Sequence, residues 1–122
     1  MQTMKILATT TALLTALIGG ARAQSSDDFT FYNRTGSTIV ALYLSPHDQD
    51  SWLRNVLRQR LPNNSHTEVF WYEEPYTHYF DIKIEYANGS TNSFTDGLDL
   101  SQLNTIAVTQ SYTHTIWHWE SG

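Results

Sequence analysis

The sequence predicts an all-β fold: an antiparallel β-sandwich of about seven strands with one short helix. Three observations predict it. Apolar and polar residues alternate with period two in run after run. Turn chemistry such as Asn33-Arg34-Thr35-Gly36, Ser45-Pro46 and Asn88-Gly89 punctuates those runs at short intervals. The chain has no Cys, and all sixteen Phe, Tyr and Trp lie after residue 28, so apolar burial must hold the domain together.

Residues 1–23 have the three-part pattern of a secretory signal. Met1 to Lys5 is a positive start, Ile6 to Ile18 an uncharged run, and Ala21-Arg22-Ala23 a small-residue cleavage site. The apolar run is about 13 residues, shorter than the roughly 20 that a membrane span needs. The expectation is a periplasmic or secreted protein that starts at Gln24 and has no membrane association after cleavage. Removing 23 residues from 122 leaves 99, one domain spanning 24–122. That domain keeps five basic residues (Arg34, Arg54, Arg58, Arg60, Lys83) and all twelve acidic ones, a net charge of −7. Such a balance argues against nucleic acid as a partner.

Phe29 and Phe31 alternate with Thr30 and Tyr32 as a first strand. Thr38 to Leu44 is the next, with Val40, Leu42 and Leu44 on one face. His47 to Arg60 is the predicted helix, because Trp52, Leu53, Val56 and Leu57 fall on one helical face. Asp48 and Asp50 suit its N-terminus, and Trp52 is expected to dock it on the sheet. Thr67, Val69 and Trp71 alternate with His66, Glu68 and Phe70.

Phe80, Ile82, Ile84 and Tyr86 alternate with Asp81, Lys83 and Glu85, the cleanest such pattern in the chain. At Asn88-Gly89 a two-residue loop would pair Lys83 with Phe94. A three-residue loop, Ala87-Asn88-Gly89, pairs Ile82 with Phe94 instead. The second is expected, since a slip of one residue moves side chains to the wrong face. Asp96 to Leu103 reads as a short helical turn plugging one end of the core, Thr105 to Thr109 as a strand, and Tyr112 to Trp119 as a last alternating run.

Asn33-Arg34-Thr35-Gly36, Ile39, Leu42-Tyr43-x-Ser45-Pro46, Trp52, Asn55, Leu57 and Leu61-Pro62 together resemble a family of small exported bacterial β-sandwich domains of unknown function. Phe80-Asp81-Ile82-Lys83 and Gly97-Leu98-Asp99-Leu100 continue the likeness, which covers roughly Phe29 to Val108. The chain departs from the pattern at Leu53, where family members often have Gly, and in the tail from Tyr112 to Gly122. Some members carry an argininosuccinate lyase label. That enzyme type is a large helical tetramer, which a small β domain is not. The resemblance implies fold and compartment, and no established chemistry.

The chain holds no G-x-S-x-G and no cysteine nucleophile, so no catalytic residue is assigned. No cofactor and no metal ligand set is assigned either. His114 and His118 lie on one strand face, but four residues along a strand separates them by about 13 Å, so they can share a metal, with His66 or His78, only where the tail is helical or bent. Asp48, Asp50, Asp96 and Asp99 lack the spacing of a calcium loop.

The segment Trp71 to Tyr79 concentrates aromatics and acids around Pro75. Val69, Trp71, Phe80 and Ile82 suffice to fill the core beside it. Tyr72, Tyr76 and Tyr79 are then left at the rim beside Glu73 and Glu74. These five are the candidate ligand-binding residues. The expected function is a non-enzymatic binding domain with a protein or glycan partner. The alternative is a metal-binding protein or metal-dependent hydrolase using His and Asp side chains.

Overall fold

A computed structural model describes residues 27–52, 54–71, 77–111 and 115–121. Among them run seven strands and one 3-10 turn. They are β1 (Phe29–Arg34), β2 (Ile39–Pro46), β3 (His66–Val69), β4 (Tyr79–Tyr86), β5 (Thr91–Asp99), the turn Leu100–Gln102, β6 (Leu103–Gln110) and β7 (Thr115–Ser121). One sheet has the order β3-β1-β6-β7 and the other β2-β4-β5. Phe29, Phe31, Ile106 and Val108 of the first sheet meet Leu42, Leu44, Phe80, Ile82 and Ile84 of the second in one core. The predicted sandwich is there. One pairing departs from the antiparallel expectation: β1 runs parallel to β6, with Phe31 opposite Ile106. A parallel pair needs a long connection, and here four strands lie between the partners.

The hairpin of β4 and β5 has the expected register. Ile82 pairs with Phe94, and Gly89 takes the positive φ of 90° that closes a three-residue loop. In β2 a bulge between Ile39 and Ala41 shifts the alternation. Ile39, Ala41, Leu42, Leu44 and Ser45 are buried, and Val40 is half-buried. β7 begins at Thr115, with Trp117 opposite Val108 and Trp119 opposite Ile106. Tyr112 to His114 lie outside the described residues.

The helix expected over 47–60 is not formed: the described residues of that segment, 47–52 and 54–60, are irregular. Several of the segment's polar groups bond to β2 instead of forming helical bonds. Val56 N–H donates to the Leu42 carbonyl at 2.8 Å. Asn55 Oδ1 accepts from Leu42 N–H and Leu57 N–H, at 2.9 and 3.0 Å. Leu61 and Ile39 exchange both backbone bonds. The segment thus covers the open edge of β2, which would otherwise present unpaired backbone to solvent. Trp52 reaches the outer face of the second sheet, where its ring lies 4.9 Å from Lys83 Nζ and stays half-buried. The helical turn expected over Asp96 to Leu103 shrinks to Leu100–Gln102. Asp99 caps it through Oδ1, and Leu100 is wholly buried as the plug.

The pairing registers give the sandwich two distinct ends. Phe29 lies opposite Val69 and Tyr79 opposite Asp99. The 3-10 turn carries β5 of one sheet directly into β6 of the other. The Tyr79 end therefore also holds Asp27, Pro46, Trp71 and Leu103. The Asn33 end holds the β1–β2 turn, the start of β3 and the Ala87-Asn88-Gly89 loop.

Candidate functional site

The site is built where β2 leaves the sheet. Ser45 pairs with Asp81 and Pro46 with Phe80, so the residue after Pro46 falls over the outer face of β4. His47 N–H donates to the Tyr79 carbonyl at 2.9 Å, which fixes the chain there. The imidazole then lies beside Asp81, with Nδ1 2.8 Å from Oδ1. Asp48 N–H donates to the other oxygen, Oδ2, at 3.2 Å. Ser51 N–H donates to Ser45 Oγ at 2.7 Å and folds the loop back over the sheet. This cover leaves the Asp81 side chain only 4% exposed on what would otherwise be a solvent face.

Gly97 in β5 makes room for the ring. A Cβ there would lie 3.1 Å from His47 Cγ and Nδ1. The second ring nitrogen, Nε2, is 3.3 Å from Asp48 Oδ2. Neutral imidazole donates from one nitrogen only, whereas imidazolium donates from both. The hydrogen bond to Asp81 is the main reason that the His47 pKa is raised from the ordinary histidine value. Desolvation works against it, and the charges of Asp81, Asp48 and Asp96 add to it. In the imidazolium form, with a carboxylate on each nitrogen, the ring has no lone pair to act as a general base.

A second pair stands at the same end. His78 Nδ1 lies 2.8 and 3.0 Å from the two oxygens of Asp27, whose side chain is nearly buried. His78 is held by its carbonyl, which accepts from Leu100 N–H. Tyr79 follows directly and is 55% exposed. Nearby, Asp28 Oδ1 accepts from Trp71 N–H at 2.7 Å. The Trp71 ring packs edge-on against Phe80, and its buried Nε1 has no hydrogen-bond partner among the described residues.

Of the five expected binding residues, Tyr72, Glu73, Glu74 and Tyr76 lie outside the described residues, and Tyr79 stands exposed at the rim. Val69, Trp71, Phe80 and Ile82 are buried, as their alternation predicts. The other described histidines, His66 and His118, are apart. His66 stacks on Tyr32 at 5.0 Å on the outer face of the first sheet, in the same cross-strand row as Ala107 and His118. Three strand spacings, about 14 Å, separate His66 from His118. The acids also divide. Asp50 takes the Trp52 indole N–H and Asp99 caps the 3-10 turn, leaving Asp48 at the ring of His47.

His47, Asp48 and Asp81 each offer a donor atom, all within 4.8 Å of one another. Sequence reading missed this group because His47 and Asp81 are 34 positions apart. Asp81 carries no local signal of its own, because it stands in the same alternating row as Lys83 and Glu85.

Fold and site together define a small mixed β-sandwich with a rim of paired histidines and aspartates at one end. No helix among the described residues is long and apolar enough to cross a membrane. No family model, curated protein or solved structure matches the chain.

Proposed function

We propose that this is an exported, non-enzymatic binding domain that takes a protein or glycan partner at the Tyr79 end. The observation that carries the reading is the exposed Tyr79 ring flanked by two His–Asp pairs, His78–Asp27 and His47–Asp81. The sequence puts Tyr72, Glu73, Glu74 and Tyr76 on the same connection. A tyrosine at a rim packs its ring while its hydroxyl stays wet, and it loses little entropy on contact. The acidic surroundings select cationic or hydroxyl-rich partners over anionic ones. The export pattern of residues 1–23 and the resemblance to small exported domains support the same reading.

The test is a panel of defined ligands, neutral oligosaccharides and oligolysine peptides against polyanions, followed by amide shifts in the labelled protein. Shifts centred on His47, His78 and Tyr79, and lost in a Tyr76→Ala, Tyr79→Ala double variant that keeps its fold, are expected. Shifts confined to the Asn33 end, or unfolding of the double variant, would overturn the assignment.

A further inference from the structure

The facing donor atoms of His47 and Asp48 also stand at the separation of two ligands of one ion. Donors bound about 2.0–2.1 Å from a tetrahedral ion stand about 3.3 Å apart along an edge of the tetrahedron. His47 Nε2 and Asp48 Oδ2 are 3.3 Å apart. On the far side of the ring, Asp81 Oδ1 accepts from Nδ1 at 2.8 Å. That is the carboxylate–histidine–metal arrangement, in which the outer carboxylate fixes the tautomer and makes the free nitrogen a better ligand.

We propose that His47 Nε2 and Asp48 Oδ2 form two ligands of a binding site for a divalent first-row transition cation of the Zn²⁺ or Cu²⁺ type, with Asp81 as the positioning residue. Asp81 is suited to that role because both of its oxygens are committed to the two ligand residues: Oδ1 to the His47 ring and Oδ2 to Asp48 N–H. Its own burial keeps it in place, while Asp48 is 79% exposed and His47 35%, so the edge they form is open to solvent. Gly97 supplies a wall without a side chain, where a Cβ would press on the ring.

The ion replaces the proton that otherwise bridges Nε2 and Asp48. Its remaining positions are filled by water or by a donor from a partner. One imidazole with one carboxylate suits a borderline cation, whereas Ca²⁺ seeks six to eight oxygens. This site does not depend on the partner proposed above, since the ion either binds the isolated chain or does not.

The experiment is calorimetric titration of Zn²⁺, and separately Cu²⁺, into the untagged chain after chelator treatment and dialysis. It is paired with long-range ¹H–¹⁵N spectra of the histidine rings. One equivalent is expected, with the His47 Nε2 resonance moving to its metal-bound position while Nδ1 stays protonated. His47→Gln and Asp48→Asn should each weaken binding by about tenfold or more, and His118→Gln should leave it unchanged. Asp81→Asn should weaken it by about 10- to 100-fold and release the Nδ1 proton signature, which loss of packing alone would not do. The Asp48 side chain is largely exposed, so Asp48→Asn reports on the ion even if Asp81→Asn loosens the fold. Absence of binding at about 1 mM Zn²⁺, unchanged affinity in both His47→Gln and Asp48→Asn, or equal competition by Ca²⁺ would each overturn the site.

Discussion

Both ends of the sandwich are closed by side chains that reach across strands to backbone groups, but the chemistry of closure differs. At the Asn33 end neutral amides do the work, Asn33 foremost. Asn33 is wholly buried; Nδ2 donates to the Ser37 and Leu61 carbonyls at 2.7 and 2.9 Å. Its Oδ1 accepts from Thr35 N–H and Thr35 Oγ at 3.0 and 2.8 Å. Asn63 and Asn88 repeat the motif by accepting from Gly36 N–H and Ser90 N–H. At the Tyr79 end the closing groups are Asp81, Asp27, His47 and His78, half of them open to solvent. A neutral, saturated network has one hydrogen-bonding state. A network of imidazoles and carboxylates changes state with a proton, an ion or a partner. The first kind of closure fixes the fold, and the second leaves chemistry available on it.

That contrast predicts an order of effects. The largest belongs to Asn33→Ala. It deletes four bonds at a site water cannot refill, and strands buried donors and acceptors. The expected loss is about 3 kcal/mol in a denaturant titration. Zn²⁺ titration of the folded fraction should be unchanged. A loss under about 1 kcal/mol would mean that the turn is held by its backbone bonds and that the comparison fails.

Asp81→Asn comes next. It keeps the shape but removes the charge facing His47, and about 1–2 kcal/mol is expected because the half-exposed ring recovers water. If it cost more than Asn33→Ala, the Tyr79 end would be the structural one. Gly97→Ala should cost about 1 kcal/mol, since the residue holds a φ of 82° and the added methyl meets the His47 ring at 3.1 Å. Its amide spectrum should change mainly over 47–52. A neutral outcome would show that the ring has slack.

The two ends were also unequally legible in sequence. The β4–β5 hairpin could be registered by a local argument, that Phe94 belongs opposite Ile82 rather than Lys83, because the register of a hairpin is set within a few residues. The core residues of β4 followed from strict alternation. The segment 47–60 misled because Trp52, Leu53, Val56 and Leu57 match a helical stripe, while Asn55 and Val56 bond to β2. A tertiary partner outcompeted the local pattern. The His47–Asp81 and Asp27–His78 contacts join residues 34 and 51 positions apart, and no local periodicity encodes such pairs. They became adjacent only once β2 was laid beside β4 and β1 was placed in the opposing sheet.

Trp52 gives a smaller prediction from the same misreading. A helix docked through its ring would make Trp52→Ala cost about 3–5 kcal/mol. Its observed place, half-buried over Lys83 with its indole N–H on Asp50, implies a loss below about 1 kcal/mol. A large loss would return Trp52 to the set of residues that hold the Tyr79 end together.

The smallest effect is a pH response confined to one loop. The His47 pKa is raised in the folded protein, first by its hydrogen bond to Asp81 and then by the charges of Asp81, Asp48 and Asp96. A raised pKa means that folding favours the proton. The contribution is therefore complete below the unfolded histidine pKa, about 6.5, and is lost as pH rises through the folded value above it. Below that window imidazolium donates to both Asp81 and Asp48. Above it Nε2 carries a lone pair 3.3 Å from the Asp48 carboxylate, and the two repel. The loop from His47 to Ser51 should loosen with rising pH, while β4 beneath it does not move. The measurement is a titration of amide shifts in chelator-treated protein, following Asp48 and Ser51 against Ser90 at the opposite end. Asp48 and Ser51 should titrate together, with a midpoint raised from the ordinary histidine value. Asp81→Asn should bring that midpoint down, because Asp81 is the largest cause of the shift. A loop that tightens as pH rises, or a Ser90 amide that follows the same curve, would show that the two ends are not chemically distinct.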